Sequence, residues 1–235
     1  MKFSNKLVKA KFIKRYKTFF SEHILEDGTT VVAHCANTGA MKGLNKEGIT
    51  SWLLKNDNPK RKLKWSWELC QINKTFIGIN THNPNRIIEE ALKNKTINQL
   101  KDYSSFKREV KYGENSKIDF LLNHSKNRDC YLEIKNVHLS RKNKLAEFPD
   151  SITERGKKHM TELAKIKQKG YRAVILYLIQ RNDCDKFGIA KDIDSEYYIE
   201  FCKAIKIGVE VICVDTILNQ NEIKIGKQLK FVNLN

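Results

Sequence analysis

The run CYLEIKNV at 130–137 sets Glu133 and Lys135 two residues apart. Strand side chains alternate between faces, so a carboxylate and an ammonium project side by side there while the Ile134 side chain points to the other face. Asp119 stands in KIDFLL, the preceding strand-like run. If the two runs pair through the loop NHSKNRD, Asp119 approaches Glu133 across the sheet. Two carboxylates and a lysine then converge, a set suited to phosphodiester hydrolysis. Asp119, Glu133 and the Ile134 carbonyl offer oxygen ligands to a hard divalent cation, Mg²⁺ or Mn²⁺. Lys135 is placed to orient or deprotonate the attacking water, or to stabilise charge developing on the phosphate. The plain alternative is an ion-paired Asp119 and a same-face Glu133–Lys135 salt bridge worth under ~1 kcal/mol. Glu90, on the helix before these runs, is a candidate for a further acidic ligand, and Glu109 in KREVKYG is a weaker substitute.

These residues need a sheet to hold them. Asn83-Pro84 starts a helix with proline in its first turn, and Ile87, Ile88, Ala91 and Leu92 give it one apolar face ending near Lys95. Three strand-like runs follow, EVKYG, KIDFLL and CYLEIKNV, joined by the turns GENS and NHSKNRD. Ser151 to Glu154 offers a capping box for a helix through Lys169, closed by Gly170. The unbroken apolar run AVILYLI suits a strand buried on both faces. A helix over 195–207, stopped by Gly208, precedes the strand VEVICV. This second part, residues 83–235, therefore reads as an α/β domain with a mixed sheet.

Residues 1–82 differ in texture. Short β-rich runs (LVKAKFI, TFFSEHIL, TTVVAH, ITSWLL, SWELCQI, TFIGIN) alternate with turn signals such as Asp27-Gly28. They predict a small barrel or sandwich, and a five-stranded OB-like barrel fits the length.

Lys plus Arg number 44 against 27 Asp plus Glu, a formal charge of +17 that calls for a polyanionic partner. DNA is the leading expectation and RNA the alternative, since an OB groove does not itself separate them. No apolar run approaches the ~20 residues of a membrane span, and MKFSNKLVKAKF lacks a signal-peptide core, so the expected location is cytoplasmic. The six cysteines are scattered without CxxC spacing, which signals neither a zinc site nor a disulfide framework.

Three stretches are candidates for nucleic-acid contact. Lys60, Arg61, Lys62 and Trp65 combine cations with an aromatic ring in an inter-strand loop, suited to phosphate contact and base stacking. The competing reading puts Trp65 and Trp67 in the barrel core. His34 and Asn37 belong to HCANTGAMKG, a polar turn that either presents backbone N–H groups to phosphate or simply connects two strands. Arg155, Lys157, Lys158 and His159 open the helix after the site strand, where cations and the positive dipole end favour a phosphate. Arg86 and Asn85 extend that surface.

DFLLNHSKNRDCYLEIKNV followed by EFPDSITERGKKHMTEL resembles the sugar fermentation stimulation protein family, SfsA, as do AHCANTGAMKGL, KNDNPKRKLKWSWEL and NTHNPNRIIEEAL. The resemblance runs from about Leu7 to Val214. It implies an N-terminal OB-like domain, a C-terminal PD-(D/E)XK nuclease-like domain and DNA binding. The nuclease-like pattern lands on Glu90, Asp119, Glu133 and Lys135, all of suitable chemistry. Two functions follow as expectations: a divalent-metal-dependent nuclease, or a DNA-binding regulator of sugar metabolism that uses the nuclease-like fold as a scaffold.

Overall fold

Six short strands build the first part of the chain: β1 (Val8–Tyr16), β2 (Phe20–Leu25), β3 (Thr30–His34), β4 (Thr50–Lys55), β5 (Trp65–Ile72) and β6 (Thr75–Gly78). In this computed structural model, which describes residues 1–113, 116–124 and 128–232, they form one sheet in the order β3-β2-β1-β4-β5-β6. Parallel pairing of Ala33 with Trp65 and of His34 with Ser66 joins β3 to β5 and closes five strands into the expected barrel. The turns GENS and NHSKNRD fall partly outside the described residues, at 114–115 and 125–127.

Phe12 and Trp67 stack at 4.8 Å in the barrel core, while Trp65 packs half-buried at its edge. The segment after β3 does more than connect strands, because Met41 and Leu44 are fully buried and plug one end of the barrel. Asn37 shapes this plug. Its Oδ1 accepts from the Gly39 amide at 2.8 Å, and Arg15 donates to the Asn37 and Gly39 carbonyls at 2.7 and 2.8 Å.

The second part carries α1 (Asn83–Lys93), β7 (Ser105–Tyr112), β8 (Ser116–Asn123), β9 (Cys130–Val137), β10 (Leu139–Lys142), β11 (Leu145–Phe148), α2 (Glu154–Gln168), β12 (Arg172–Ile179), β13 (Lys186–Ile189), α3 (Ser195–Ile207), β14 (Glu210–Leu218), β15 (Ile223–Gln228) and β16 (Lys230–Phe231). Its main sheet runs β15-β14-β12-β9-β8-β7, with β9, β12 and β14 parallel and the outer strands antiparallel. Ala173 to Ile179 of β12 is wholly buried, as the unbroken apolar run requires of a central strand covered on both faces. Helices α2 and α3 cover one face, where Met160, Leu163 and Phe201 pack. Helix α1 covers the other with Ile87, Ile88 and Ala91.

A second sheet, β10-β11-β13-β16, was not expected from the sequence. Its strands are two to four residues long, too short for periodicity to register. The start of α2 also differs from expectation: Thr153, not Ser151, is the N-cap, its hydroxyl accepting from the Gly156 amide at 3.0 Å. The leading residues do not stay with the barrel that follows them. Met1 and Leu7 join the α1-side core of the second part, and Lys2 bridges to Glu222.

The β7–β8 ribbon is twisted at its middle. Phe106, Phe120 and Leu122 face the α1 side, whereas Val110, Tyr112 and Ile118 face the α2 side. Even-numbered residues on opposite sides of one strand mean that the alternation inverts, and it does so at Glu109 and Asp119. Glu109 takes a left-handed φ of 52°, uncommon for a residue with a Cβ. The outer half of the ribbon thus folds over toward α2, with Asp119 at the pivot.

The two parts are also clasped together. Asp150, just after β11, accepts from the Met41 amide at 3.0 Å and lies 3.3 Å from His138 Nε2. A Cβ at Gly39 would come within 2.4 Å of the Asp150 carboxylate, so only glycine allows this approach.

Candidate active site

Beside Asp119, β8 and β9 diverge. Their ladder ends at Phe120–Leu132, and the Asp119 carboxylate takes the next position, accepting from the Ile134 amide at 2.7 Å. The N–H and C=O of one extended residue leave the strand on the same edge, so the Ile134 carbonyl faces the same opening. Asn85, in the first turn of α1, donates to the other Asp119 oxygen at 2.9 Å. The resulting cleft, about 340 Å³, is lined by Asn85, Asp119, Glu133, Ile134 and Lys135, with His82, Arg108 and Arg155 among the residues at its walls.

Glu133 and Lys135 share a face of β9, as the two-residue spacing requires, and both are nearly inaccessible. Lys135 Nζ donates to Glu133 Oε1 at 2.9 Å. The same oxygen contacts His159 Nδ1 from α2. Arg155 Nε approaches His159 Nε2 at 3.4 Å, a contact that suits Nε2 as acceptor and a proton on Nδ1 toward Glu133. Lys135 Nζ also lies 3.0 Å from His159 Nδ1, so Glu133, Lys135 and His159 form one buried cluster.

The two carboxylates are driven apart in acidity. Burial, and then the neighbouring Glu133 charge, push Asp119 up to about 6, only partly offset by the Ile134 and Asn85 hydrogen bonds. For Glu133 burial is the largest single influence and opposes ionisation. Lys135 and His159 together outweigh it and hold Glu133 below the usual carboxylate range. Burial, with Glu133, Glu162 and Asp119 nearby, raises the Tyr112 phenol well above its ordinary range.

A metal can be tested against this donor set. Glu133 Oε2 is buried and has no hydrogen-bond partner, although a buried carboxylate oxygen normally has one. Beside it Asp119 is reluctant to ionise, through burial first and the Glu133 charge second. Both observations fit a cation, which Asp119 and Glu133 would help to hold. Among the described residues no three Asp, Glu, His or Cys side chains form a metal cluster, so the protein ligands would be two carboxylates and the Ile134 carbonyl, completed by water.

Of the residues singled out in the sequence, Asn85, Asp119, Glu133, Ile134, Lys135, Arg155 and His159 meet in this cleft. Glu90 does not. Its carboxylate lies 2.8 Å from the Met1 amino group, on the side of α1 facing β15. At 100° per residue, Glu90 is about 140° around the helix from Asn85, whereas Glu89 is about 40° away. Glu89 accordingly pairs with Arg108 at the cleft wall. Lys157 is bound to Glu154 and, across on α3, to Glu196, Lys158 lies 3.9 Å from Glu162, and both line a neighbouring groove of about 1080 Å³. Glu109 lines that groove rather than the cleft. Arg86 is exposed on α1. Lys60, Arg61, Lys62, Trp65 and His34 lie on the barrel, and Asn37 is buried in the plug. His159, expected with Arg155, Lys157 and Lys158 at a phosphate-contacting helix start, is instead buried against Glu133. Its signal was the four-residue spacing from Arg155, which puts both on one helix face.

Comparison with known proteins matches residues 82–222 to the sugar fermentation stimulation protein RE domain and residues 13–79 to the SfsA N-terminal OB domain. A sugar fermentation stimulation protein homolog from Ruegeria sp. is 49% identical over 227 residues, 96% of this chain and 98% of that protein. The homolog from Agrobacterium fabrum is 44% identical over 230 residues, 98% of this chain and 96% of its own. The structure of Pyrococcus furiosus SfsA in complex with Ca²⁺ superposes with a TM-score of 0.90 at 23% identity, covering 99% of this chain and 98% of that one.

Proposed function

This chain belongs to the sugar fermentation stimulation protein family, and we propose that it binds DNA in the cytoplasm and hydrolyses phosphodiester bonds at the Asp119–Glu133–Lys135 cleft with Mg²⁺ or Mn²⁺. The observation that carries this reading is the unpartnered, buried Glu133 Oε2 beside an Asp119 that burial and the Glu133 charge keep from ionising. Asp119, Glu133 and the Ile134 carbonyl would hold the cation. When bound, it supplies Lewis-acid polarisation of the phosphate and a more acidic water. Lys135 keeps a positive charge at the floor of the cleft, where negative charge grows on an attacked phosphate. His159 fixes the Glu133 carboxylate from behind. Arg108 and Arg155 at the walls supply cations for the flanking phosphates. The formal charge of +17 supports a polyanionic substrate. The Ca²⁺ bound by the Pyrococcus relative accords with an oxygen-ligand cation site.

The test is cleavage of single- and double-stranded DNA by purified protein with Mg²⁺, Mn²⁺ or chelator, alongside Asp119→Ala and Lys135→Ala. Metal-dependent cleavage that falls about a hundredfold or more in each variant is expected. Equal cleavage by wild type and variants points to contamination and removes the reading. Salt-sensitive DNA binding without cleavage, unchanged in Glu133→Gln, favours a non-catalytic regulator.

A further inference from the structure

The outer surface of the barrel carries aromatic rings that the cleft chemistry leaves unused. Cross-strand register sets Tyr16 opposite Phe20, Phe20 opposite His34, and His34 opposite Ser66, one line across four adjacent strands. Ser21, His23 and Ala33 point inward and are fully buried, so alternation turns Phe20 and His34 outward, and Tyr16 with them. Tyr16 and Phe20 stack at 5.6 Å with 18° between planes. Phe19, 45% exposed at the β1–β2 turn, lies parallel to His34 at 6.2 Å and 10°. His34 is 6.5 Å from His82, and His82 lines the cleft with Asp119 and Glu133.

The row is rigidly mounted. The Phe19 carbonyl accepts from the Cys35 amide at 2.9 Å, and Thr81 Oγ1, next to His82, donates to the Ala36 carbonyl at 2.9 Å. Cations flank it throughout. Lys14 sits 6.0 Å from the Tyr16 ring, and Arg61 donates to Ser66 Oγ at 3.2 Å, the residue in register with His34. Parallel rings on the outer face, Phe19 exposed and Tyr16, Phe20 and His34 half-buried, offer stacking faces beside cations that can contact phosphate. Only unpaired bases can use such faces, because duplex bases are already stacked and paired.

We propose that this row binds an unpaired DNA strand by base stacking and leads it past His82 into the cleft, so that the preferred substrate is a single strand or a duplex with a single-stranded extension. The proposal rests on reading the cleft as a DNA site, but it concerns binding and is tested without turnover. Fluorescence anisotropy of the full chain in chelator, with labelled single-stranded DNA and a blunt duplex of equal length, reads it directly. Phe19→Ala is expected to weaken single-strand binding about fivefold or more while changing duplex binding less than about twofold, and Phe19→Tyr to restore it. Thermal melting of each variant confirms folding. Equal weakening for both DNAs, or no change for either in Phe19→Ala and His34→Ala alike, overturns the stacking row. Matched RNA competing as well as DNA overturns the DNA assignment. Retained strand-selective binding in a protein that fails the cleavage assay removes the catalytic reading and leaves this one standing.

Discussion

Replacing Asp119 with asparagine is expected to stabilise the metal-free protein at neutral pH. The Asp119 carboxyl has its pKa raised from 3.8 to about 6 in the folded chain, with burial first and Glu133 second as causes. A raised acid pKa means the folded state holds its proton more tightly than the unfolded chain. Stability is therefore fully present below about pH 4 and is lost as pH climbs through about 6. A rise of that size corresponds to about 3 kcal/mol, an upper bound because the unfolded chain and local relaxation absorb part of it. The substituted carboxamide keeps an oxygen for the Ile134 amide, and a turn of the Asn85 amide keeps the second contact. Asp119→Asn should gain about 1–3 kcal/mol near pH 8, a rise in Tm of about 2–10 °C for a chain of this size. The gain should be about halved near pH 5 and nearly gone near pH 4. Adding Mg²⁺ should reverse the order, stabilising wild type by mass action and not the variant. Urea denaturation across this pH range, with chelator and with Mg²⁺, measures all of it. A variant less stable than wild type near pH 8, or an advantage independent of pH, would refute the account of the carboxylate pair.

His159→Gln removes one of the two groups that hold Glu133 ionised, so its pKa should rise and the acid limb of Mg²⁺ binding should move to higher pH; calorimetric titrations with an unmoved limb would count against the role of the imidazole. Gly39→Ala drives a Cβ into the Asp150 carboxylate and should cost about 1–3 kcal/mol in chemical denaturation, whereas a neutral result would mean that the clasp yields freely. Thr153→Ala removes the N-cap of α2 and should cost about 1 kcal/mol by the same measurement.

Much of the site was legible because it depends on local geometry. The two-residue spacing of Glu133 and Lys135 dictates a shared face whatever the tertiary fold, and the unbroken run in β12 announces a central strand. Helix α3 runs over the residues expected, since Asp194 and Gly208 punctuate it. What failed depended on phase and on long-range packing. Glu90 was assigned to the cleft from its position in the helix, without the angular offset from Asn85 that turns it away. The inversion at Glu109 and Asp119 has no signature in KREVKYG or KIDFLL, because both still alternate in pattern while the ribbon twists beneath them. The small second sheet is held by pairing between segments far apart in sequence, such as Leu145 with Lys186, which no short window contains.

The clasp at Asp150 reaches beyond the contact itself. The barrel closes its own end with Met41 and Leu44, yet the loop that delivers them is tied to a carboxylate of the other domain, whose α1-side core in turn takes in Met1 and Leu7. Each half thus completes the other. The chain should unfold in one cooperative transition, with the same midpoint read from the barrel and from the second part. A fragment ending near residue 82 would retain its strands but lose the anchor of its plug. Coincident transitions by heat and by urea would make the whole chain, and not either architecture alone, the unit of folding.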